Sequence, residues 1–496
     1  TPYLAEEQIV SGTLAYALGA GKAVVSTPYS YAREMLAEGR GRLVPFADPA
    51  AIACDVNLLL DDERKRNAIR KRAYQYTRSF VWKRVAQEYL RVFEEVRRQP
   101  IIIRHKATPR EGPSTMLDAV PDLKLDHILN FTDNVGMLQH ARYSIPDRTH
   151  GYCTDDNARA LIFALQAWHH TQNPELLSAA TTYLSFLSHA YNAEAGRFRN
   201  FMSYDRRWLE DAGSEDSHAR ALWGLGCAVA DAPLVGMRSA AMDLFDQALR
   251  VTEQFTSPRA WAFTITGLHA YLRRYSGDSD ARRVRENLAE QLFAQYRENE
   301  EEDWVWPEDN VTYANGKLPH ALILAGQLME RPEMTKMGLR SLEWLLRIKT
   351  DAQGVVSPIG SNGWYSRNGE RADFDQQPLE IHALLEACLE AYNVTAEKKW
   401  VTHAWRSFEW FLGKNRVNRI LYDYETGGCR DGLQPSGVNE NQGAESTLAW
   451  LLSLLAIRSL DAEVHVPRPD REAPAAPHFS PLVTLEQRLE GIKVPR

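Results

Sequence analysis

The chain has 496 residues, 44% hydrophobic, 25% charged and 10% aromatic, a balance that excludes a wholly disordered polypeptide. With 58 Lys and Arg against 65 Asp and Glu the net charge is −7, which argues against nonspecific binding of nucleic acid through its phosphates. No run of about 18 apolar residues is present, so no membrane contact is expected, and five cysteines without a CxxC pair indicate neither a disulfide framework nor a zinc site. A reducing cytoplasm is the expected compartment, and the residues that follow Thr1-Pro2-Tyr3 do not read as a signal peptide.

Residues 1–98 alternate between strand-like and helix-like runs. Ser11 to Gly19 reads as a short helix, Lys22 to Ser26 as an apolar strand, Tyr31 to Ala37 as a helix and Gly41 to Phe46 as a second strand. Asp48 is placed to cap a helix that Pro49 opens and that runs to about Leu60. A highly charged helix is expected over Asp62 to Arg98. Alternation of this kind builds a parallel α/β sheet, but so few strands are short of a doubly wound one. The segment is therefore expected to be the end of a larger domain.

One motif in it is specific. Glu7-Gln8-Ile9-Val10-Ser11-Gly12-Thr13-Leu14-Ala15 is followed by Gly19, Gly21 and Ala23-Val24-Val25, then by Glu34 and the block Gly41 to Asp48. These residues resemble the C-terminal part of family-4-type glycosyltransferases, whose GT-B fold sets two Rossmann-like domains across a cleft. The resemblance implies that Glu7 contacts the donor sugar. Ala15 stands where that family has a second Glu on the nucleotide ribose. The match spans about a fifth of the chain, without the upstream phosphate-binding part, so Glu7 is expected to be vestigial and nucleotide-sugar transfer is not expected of these residues.

A linker is expected at 99–121, which carries Pro100, Pro109, Gly112, Pro113 and Pro121. Residues 122–460 read as helix pairs. Amphipathic outer helices are expected near 123–141, 174–190, 233–254, 280–298, 332–348 and 395–413. Segments apolar nearly all round begin near Asp155, Asp216, Ala260, Leu318, Gln376 and Glu440, and mark buried inner helices. Six alternating pairs predict an (α/α)6 toroid preceded by the partial Rossmann-like α/β segment, with an open helical solenoid as the alternative. The body also resembles (α/α)6 glycoside-active proteins as a class, and the two-part layout resembles a group of bacterial proteins. Residues 461–496 read as a Pro-rich tail.

Polar and aromatic residues cluster just before the inner helices, and in a toroid those loops converge at one end. Each acid has a plain structural explanation as a helix cap or first-turn charge. Doublets at Asp155/Asp156, Glu215/Asp216 and Glu308/Asp309, each beside aromatics, point further, to paired-carboxylate glycoside chemistry. Glu308 lies between Trp304, Trp306, Pro307 and Tyr313, an apolar setting that suits a proton donor, so Glu308 or Asp309 is the expected acid. Asp156 or Asp216 is the expected base, because first-turn acids lean toward ionised. Sugar contacts are expected from Tyr152, Asp155, Arg199, Trp208, Glu215, His218, Trp306, Tyr313, Trp364, Asp375, Glu440 and Glu445. No HExxH motif or regular oxygen-ligand loop appears, so no metal or other cofactor is expected. The expected activity is cleavage or phosphorolysis of a glycosidic bond in a small glycan. The alternative is a glycosyltransferase whose barrel is a noncatalytic glycan-binding module.

Overall fold

A computed structural model of the chain describes residues 2–4, 6, 10–98 and 120–463. The expected donor-sugar residue Glu7 lies outside the described residues, as do all but the end of the expected linker and nearly all of the expected tail. The chain divides into two units, Thr1–Arg110 and Glu111–Arg496.

In the first unit, helix α1 (Gly12–Gly19) is capped by Ser11, whose hydroxyl accepts from the Leu14 amide at 3.2 Å. Strand β1 (Val25–Ser26), helix α2 (Ser30–Leu36) and strand β2 (Arg42–Leu43) form a parallel pair with a helical crossover, in register Val25↔Arg42 and Ser26↔Leu43. Helix α3 (Pro49–Asp61) starts as its sequence dictates: Asp48 accepts from the Ala51 amide and Pro49 fills the first turn. The single charged helix expected over Asp62 to Arg98 is instead two, α4 (Glu63–Thr77) and α5 (Trp82–Arg98). Thr77 and Ser79 hydroxyls donate back to the carbonyls of Ala73 and Tyr76, which tightens the chain into a short 3₁₀ turn at Arg78–Phe80.

In the second unit a short helix α6 (Asp126–Asn130) leads into strands β3 (Leu138–Arg142) and β4 (Ile145–Cys153). Helices α7 (Thr154–Thr171) and α8 (Pro174–Ala190) follow, then strands β5 (Tyr191–Asn192), β6 (Arg197–Phe198) and β7 (Phe201–Met202). Next come α9 (Glu215–Asp231), α10 (Val235–Leu249), α11 (Pro258–Arg274), α12 (Ser279–Asn299), β8 (Asn310–Val311), α13 (Lys317–Leu328) and α14 (Pro332–Lys349). The chain continues with β9 (Tyr365–Ser366), α15 (Pro378–Thr395), α16 (Lys398–Glu409), β10 (Gly432–Gln434), β11 (Gly437–Asn439) and α17 (Ala444–Glu463).

Helices α7, α9, α11, α13, α15 and α17 are inner; each packs on the next, and α17 returns to α7. The ring is closed, which rules out the open solenoid. Burial follows the ring: α11 is buried on every face from Pro258 to Gly267, whereas outer α8 buries one stripe, Leu176, Ala179, Ala180, Tyr183, Leu184 and Leu187.

The outer helix expected over 123–141 does not form. Only α6 is helical there, followed by the β3–β4 hairpin, to which β7 adds as a third antiparallel strand. The cause is local: Asp133 Oδ1 accepts from the amides of Val135 and Gly136 in an Asx turn, and the Asn157 side chain bonds the Met137 amide. Gly151 has φ +67, and a Cβ there would meet the Met202 carbonyl oxygen at 2.1 Å, so glycine alone lets β4 lie against β7.

Helices α9 and α11 approach closely through small residues. A Cβ on Gly226 would lie 2.1 Å from the Gly267 carbonyl oxygen, and one on Gly267 would lie 2.7 Å from the Leu222 carbonyl oxygen. Backbone on both sides leaves nothing flexible to move. Gly226→Ala is therefore expected to destabilise the barrel by about 1–3 kcal/mol despite alanine's better helix propensity. An unchanged melting temperature in the variant would contradict this close approach.

Candidate functional site at the inner-helix N-termini

Every inner helix points its N-terminus to the same end of the barrel, where its first amides and polar first turn need partners. Neighbouring helices supply them. Asp155 of α7 pairs with Arg220 of α9 at 2.8 Å. Glu215 of α9 accepts from the Thr256 and Ser257 amides at the start of α11, both at 2.8 Å, and Asp216 accepts from the Ser257 hydroxyl at 2.8 Å. Arg259 of α11 donates to the Tyr313 carbonyl at 2.7 Å and grips Glu308 with both carboxylate oxygens within 2.9 Å, just before α13. The Asn315 side-chain amide donates to Glu380 of α15 at 2.6 Å, and buried Lys349 donates to the same carboxylate. Gln376, before α15, exchanges backbone bonds with Leu433 of β10 at 3.0 and 2.9 Å. Arg159 of α7 pairs with Glu445 of α17 at 3.0 Å and with Asp156 at 2.7 Å, which closes the circle.

A cavity of about 410 Å3 opens on the α15–α17–α7 side of this end. Asp155, Asp156, Arg159, Asp375, Asp431 and Glu445 bring its charges; Gln139, Ser361, Gln377, Gln434 and Asn439 bring neutral hydrogen-bonding groups. His140 stands on the rim, with its ring 4.5 Å from that of His150.

The acids differ in what holds them. Asp156 is buried with Arg159, and also accepts from the Cys153 thiol at 3.0 Å. Burial pushes its carboxyl above the ordinary range, Arg159 opposes that, and Glu445 adds to the upward push. The expectation that a first-turn position favours the ionised form fails at Asp156, because loss of water outweighs the helix N-terminus. Asp431, in the turn before β10, accepts from the Gly443 amide at 2.8 Å. Burial, with Glu445 and Asp156 adding, pushes it up to about 6. Asp375 sits in a left-handed backbone conformation, φ 41, held by Ser361, whose amide and hydroxyl both donate to the Asp375 carbonyl. Its carboxylate has no hydrogen bond or ion pair among the described residues. No group of three or more His, Cys, Asp or Glu among the described residues is arranged to hold a metal ion.

Of the four expected catalytic acids, Asp156 alone lines this cavity. Asp216 accepts from the Tyr313 hydroxyl at 2.6 Å as well as from Ser257. Glu308 is not in the apolar setting expected, because Arg259, invisible as a neighbour in sequence, occupies its carboxylate. Asp309 is 79% exposed beside Arg367. Of the expected sugar contacts, Asp155, Asp375 and Glu445 line the cavity. Trp306 is wholly buried and donates to the Asn310 carbonyl. Tyr152 is buried with its hydroxyl on Asp133 at 2.6 Å. His218 is buried with both ring nitrogens occupied, by the Ala248 carbonyl and the Phe198 amide, and burial pushes it down to about 3. Trp208 packs against Phe186 and His189 with Arg199 over its ring, Trp364 faces Tyr313, Glu215 caps α11 and Glu440 pairs with Arg430 on the surface. The sequence reading passed over Asp431 and Arg159. A charged residue four positions after Asp155 in an otherwise apolar helix is the signal that marks Arg159 as partnered.

No protein-family model matches the chain, and no curated protein is similar to it in sequence. Its structure is similar to that of a sugar epimerase from a ruminal bacterium, with 13% identity, TM-score 0.53, and 70% of this chain and 98% of that one covered. Cellobiose 2-epimerase from Spirochaeta thermophila aligns with 16% identity, TM-score 0.53 and 70% and 96% coverage, and the enzyme from Bacillus thermoamylovorans with 12%, 0.54, 67% and 95%. The fold is the (α/α)6 toroid.

Two predictions follow from the charges. Arg159→Met leaves Asp156 buried without its cation and should cost about 3–5 kcal/mol of stability; a melting temperature equal to wild type would show that the pair is dispensable. Asp431 titrates near about 3.9 in an unfolded chain, and a folded value raised to about 6 means that the fold favours the neutral carboxyl. Its contribution to stability is present below about pH 4 and is lost as pH rises through about 6, a difference of about 3 kcal/mol by pH 7. Between pH values near 4 and 7, wild type should lose melting temperature relative to Asp431→Asn, and parallel pH profiles of the two proteins would refute the shift.

Proposed function

We propose that the cavity binds a saccharide and breaks or transfers a glycosidic bond, with Asp431 as general acid and Asp375 as base or nucleophile. The observation that carries this is a carboxyl raised to about 6 facing the same cavity as an Asp375 carboxyl that has no cation partner among the described residues. A carboxyl raised toward neutrality suits the proton donor of such a pair, and the second acid is left the role of base or nucleophile. Asp431 gives its proton to the glycosidic oxygen as the bond to the anomeric carbon breaks, with the bonding pair leaving on that oxygen. Asp375 takes a proton from the incoming water or phosphate, or attacks the anomeric carbon itself. Asp156 acts through Arg159, which it holds in place. The cavity's size falls within the ~300–1,000 Å3 of small-ligand sites, and its amides and hydroxyl suit a rim of sugar hydroxyls. Fold neighbours that are sugar epimerases support a carbohydrate substrate.

For the first unit we infer the C-terminal part of a family-4-type glycosyltransferase, supported by the parallel β1–β2 pair with its α2 crossover and by the capped α3. Five unpaired cysteines support a reducing compartment. A second reading, a noncatalytic glycan-binding barrel, is favoured by the arginines that occupy Asp155, Asp156 and Glu445. A panel of oligosaccharides, with and without inorganic phosphate, separates the two when binding and product release are both measured. Asp431→Asn and Asp375→Asn should each lower turnover by about 10²–10⁴ while the protein stays folded. Wild-type turnover in both variants would end the acid–base assignment, and binding by wild type without product would favour the module.

A further inference from the structure

The opposite end of the barrel carries a second cavity, of about 520 Å3, at the C-terminal ends of α11 and α13 and the start of α12. Its lining is cationic: His269 and four arginines against Glu286 and Glu330. Two of the arginines are satisfied from outside the cavity, Arg273 by Asp231 at 2.8 Å and Arg331 by Glu290 and Glu333.

Arg285 is only partly satisfied. It sits in the buried stripe of α12 with Ala281, Val284 and Leu288 and is only 6% exposed. Its Nε has no hydrogen-bond acceptor among the described residues, and its Nη2 is 3.7 Å from Glu286, too far for a hydrogen bond. His269 Nδ1, on the facing helix α11, is likewise buried without a partner. Arg282, one turn before Arg285, adds a like charge on the exposed rim and makes no ion pair among the described residues. A buried guanidinium held only by a loose 3.7 Å ion pair is under-satisfied, and the group that best relieves it is a planar or tetrahedral oxyanion able to accept from its fork.

We propose that this cavity is an oxyanion site that takes a phosphate group, gripped by Arg285 with Arg282 at the rim, either as inorganic phosphate or as the phosphate of a phosphorylated sugar. Burial and the neighbouring Arg273 and Arg285 hold His269 down to about 4, and a bound dianion would relieve the two arginines' part of that push. The site is independent of the saccharide chemistry proposed for the loop cavity.

Calorimetric titration of the full chain with inorganic phosphate and, separately, with glucose 6-phosphate tests it. At least one should bind, and Arg285→Met should weaken that binding by about tenfold or more, with a smaller loss in Arg282→Gln. Phosphate binding lost in Asp431→Asn but unaltered in the arginine variants would place the anion in the loop cavity and overturn the proposal. Tighter binding of glucose 6-phosphate identifies a phosphorylated sugar, and tighter or equal binding of inorganic phosphate identifies the free anion. Should Arg285→Met fail to fold, the exposed Arg282→Gln carries the test alone. No binding of either compound at millimolar concentration, or binding unaltered in the folded arginine variants, overturns the proposal.

Discussion

The ion pair between buried Arg159 and partly exposed Glu445 joins the last inner helix to the first, and closure of the barrel runs through that junction. Five of the six neighbour contacts in the ring join inner helices linked through one outer helix; the contact between α17 and α7 does not, because the two helices lie at opposite ends of the second unit. Apolar packing is non-directional and tolerates sliding, whereas a guanidinium held by Asp156 and Glu445 sets one register. The same junction forms the floor of the loop cavity, so closure of the fold and assembly of the candidate site are one event.

The same logic repeats around the ring with different chemistry. Inner helices aligned in parallel expose a full set of unsatisfied amides at one end, and each helix start is tied by its neighbour. Glu215 caps α11 from α9, Arg259 gathers the turn before α13, and Asn315 and Lys349 converge on Glu380. Acids on the α9–α13 arc are committed to these ties. Around α15, α17 and α7 the arrangement changes: residues of the β10–β11 hairpin line the cavity, and Asp375 and Asp431 line it without an arginine partner among the described residues. On this same side Asp155, Asp156 and Glu445 remain held by Arg220 and Arg159, so the available acids are set by local partners.

The two ends of the barrel also differ in charge. Acids crowd the N-terminal end of the inner helices, and arginines gather around the far cavity at α11, α12 and α13. Crowded acids raise one another, as Glu445 and Asp156 do for Asp431, and neighbouring cations depress one another, as Arg282 does for Arg285. Each end thus stores unfavourable electrostatics of one sign, which a ligand of suitable chemistry relieves.

The sequence by itself determined the helical architecture. Helix α8 begins and ends at Pro174 and Ala190 as its 3.6-residue periodicity requires, and the apolar starts near Asp155, Asp216, Ala260 and Leu318 fall within two residues of their inner helices, because burial pattern is a local property of the chain. Capping at Asp48 was equally legible, with its partner three residues away. What failed locally failed through competing hydrogen bonds: the Asx turn at Asp133 replaced an outer helix with a hairpin, and Thr77 and Ser79 split the long charged helix. The roles of the acids were beyond local reading. Glu308 looked apolar until Arg259, 49 positions away, took its carboxylate; His218 looked available until Ala248 and Phe198 filled its ring nitrogens; Asp431 looked ordinary until folding buried it near Glu445 and Asp156. A carboxylate's chemistry is set by what lies within a few ångströms of it, and only the closed ring decides which residues those are.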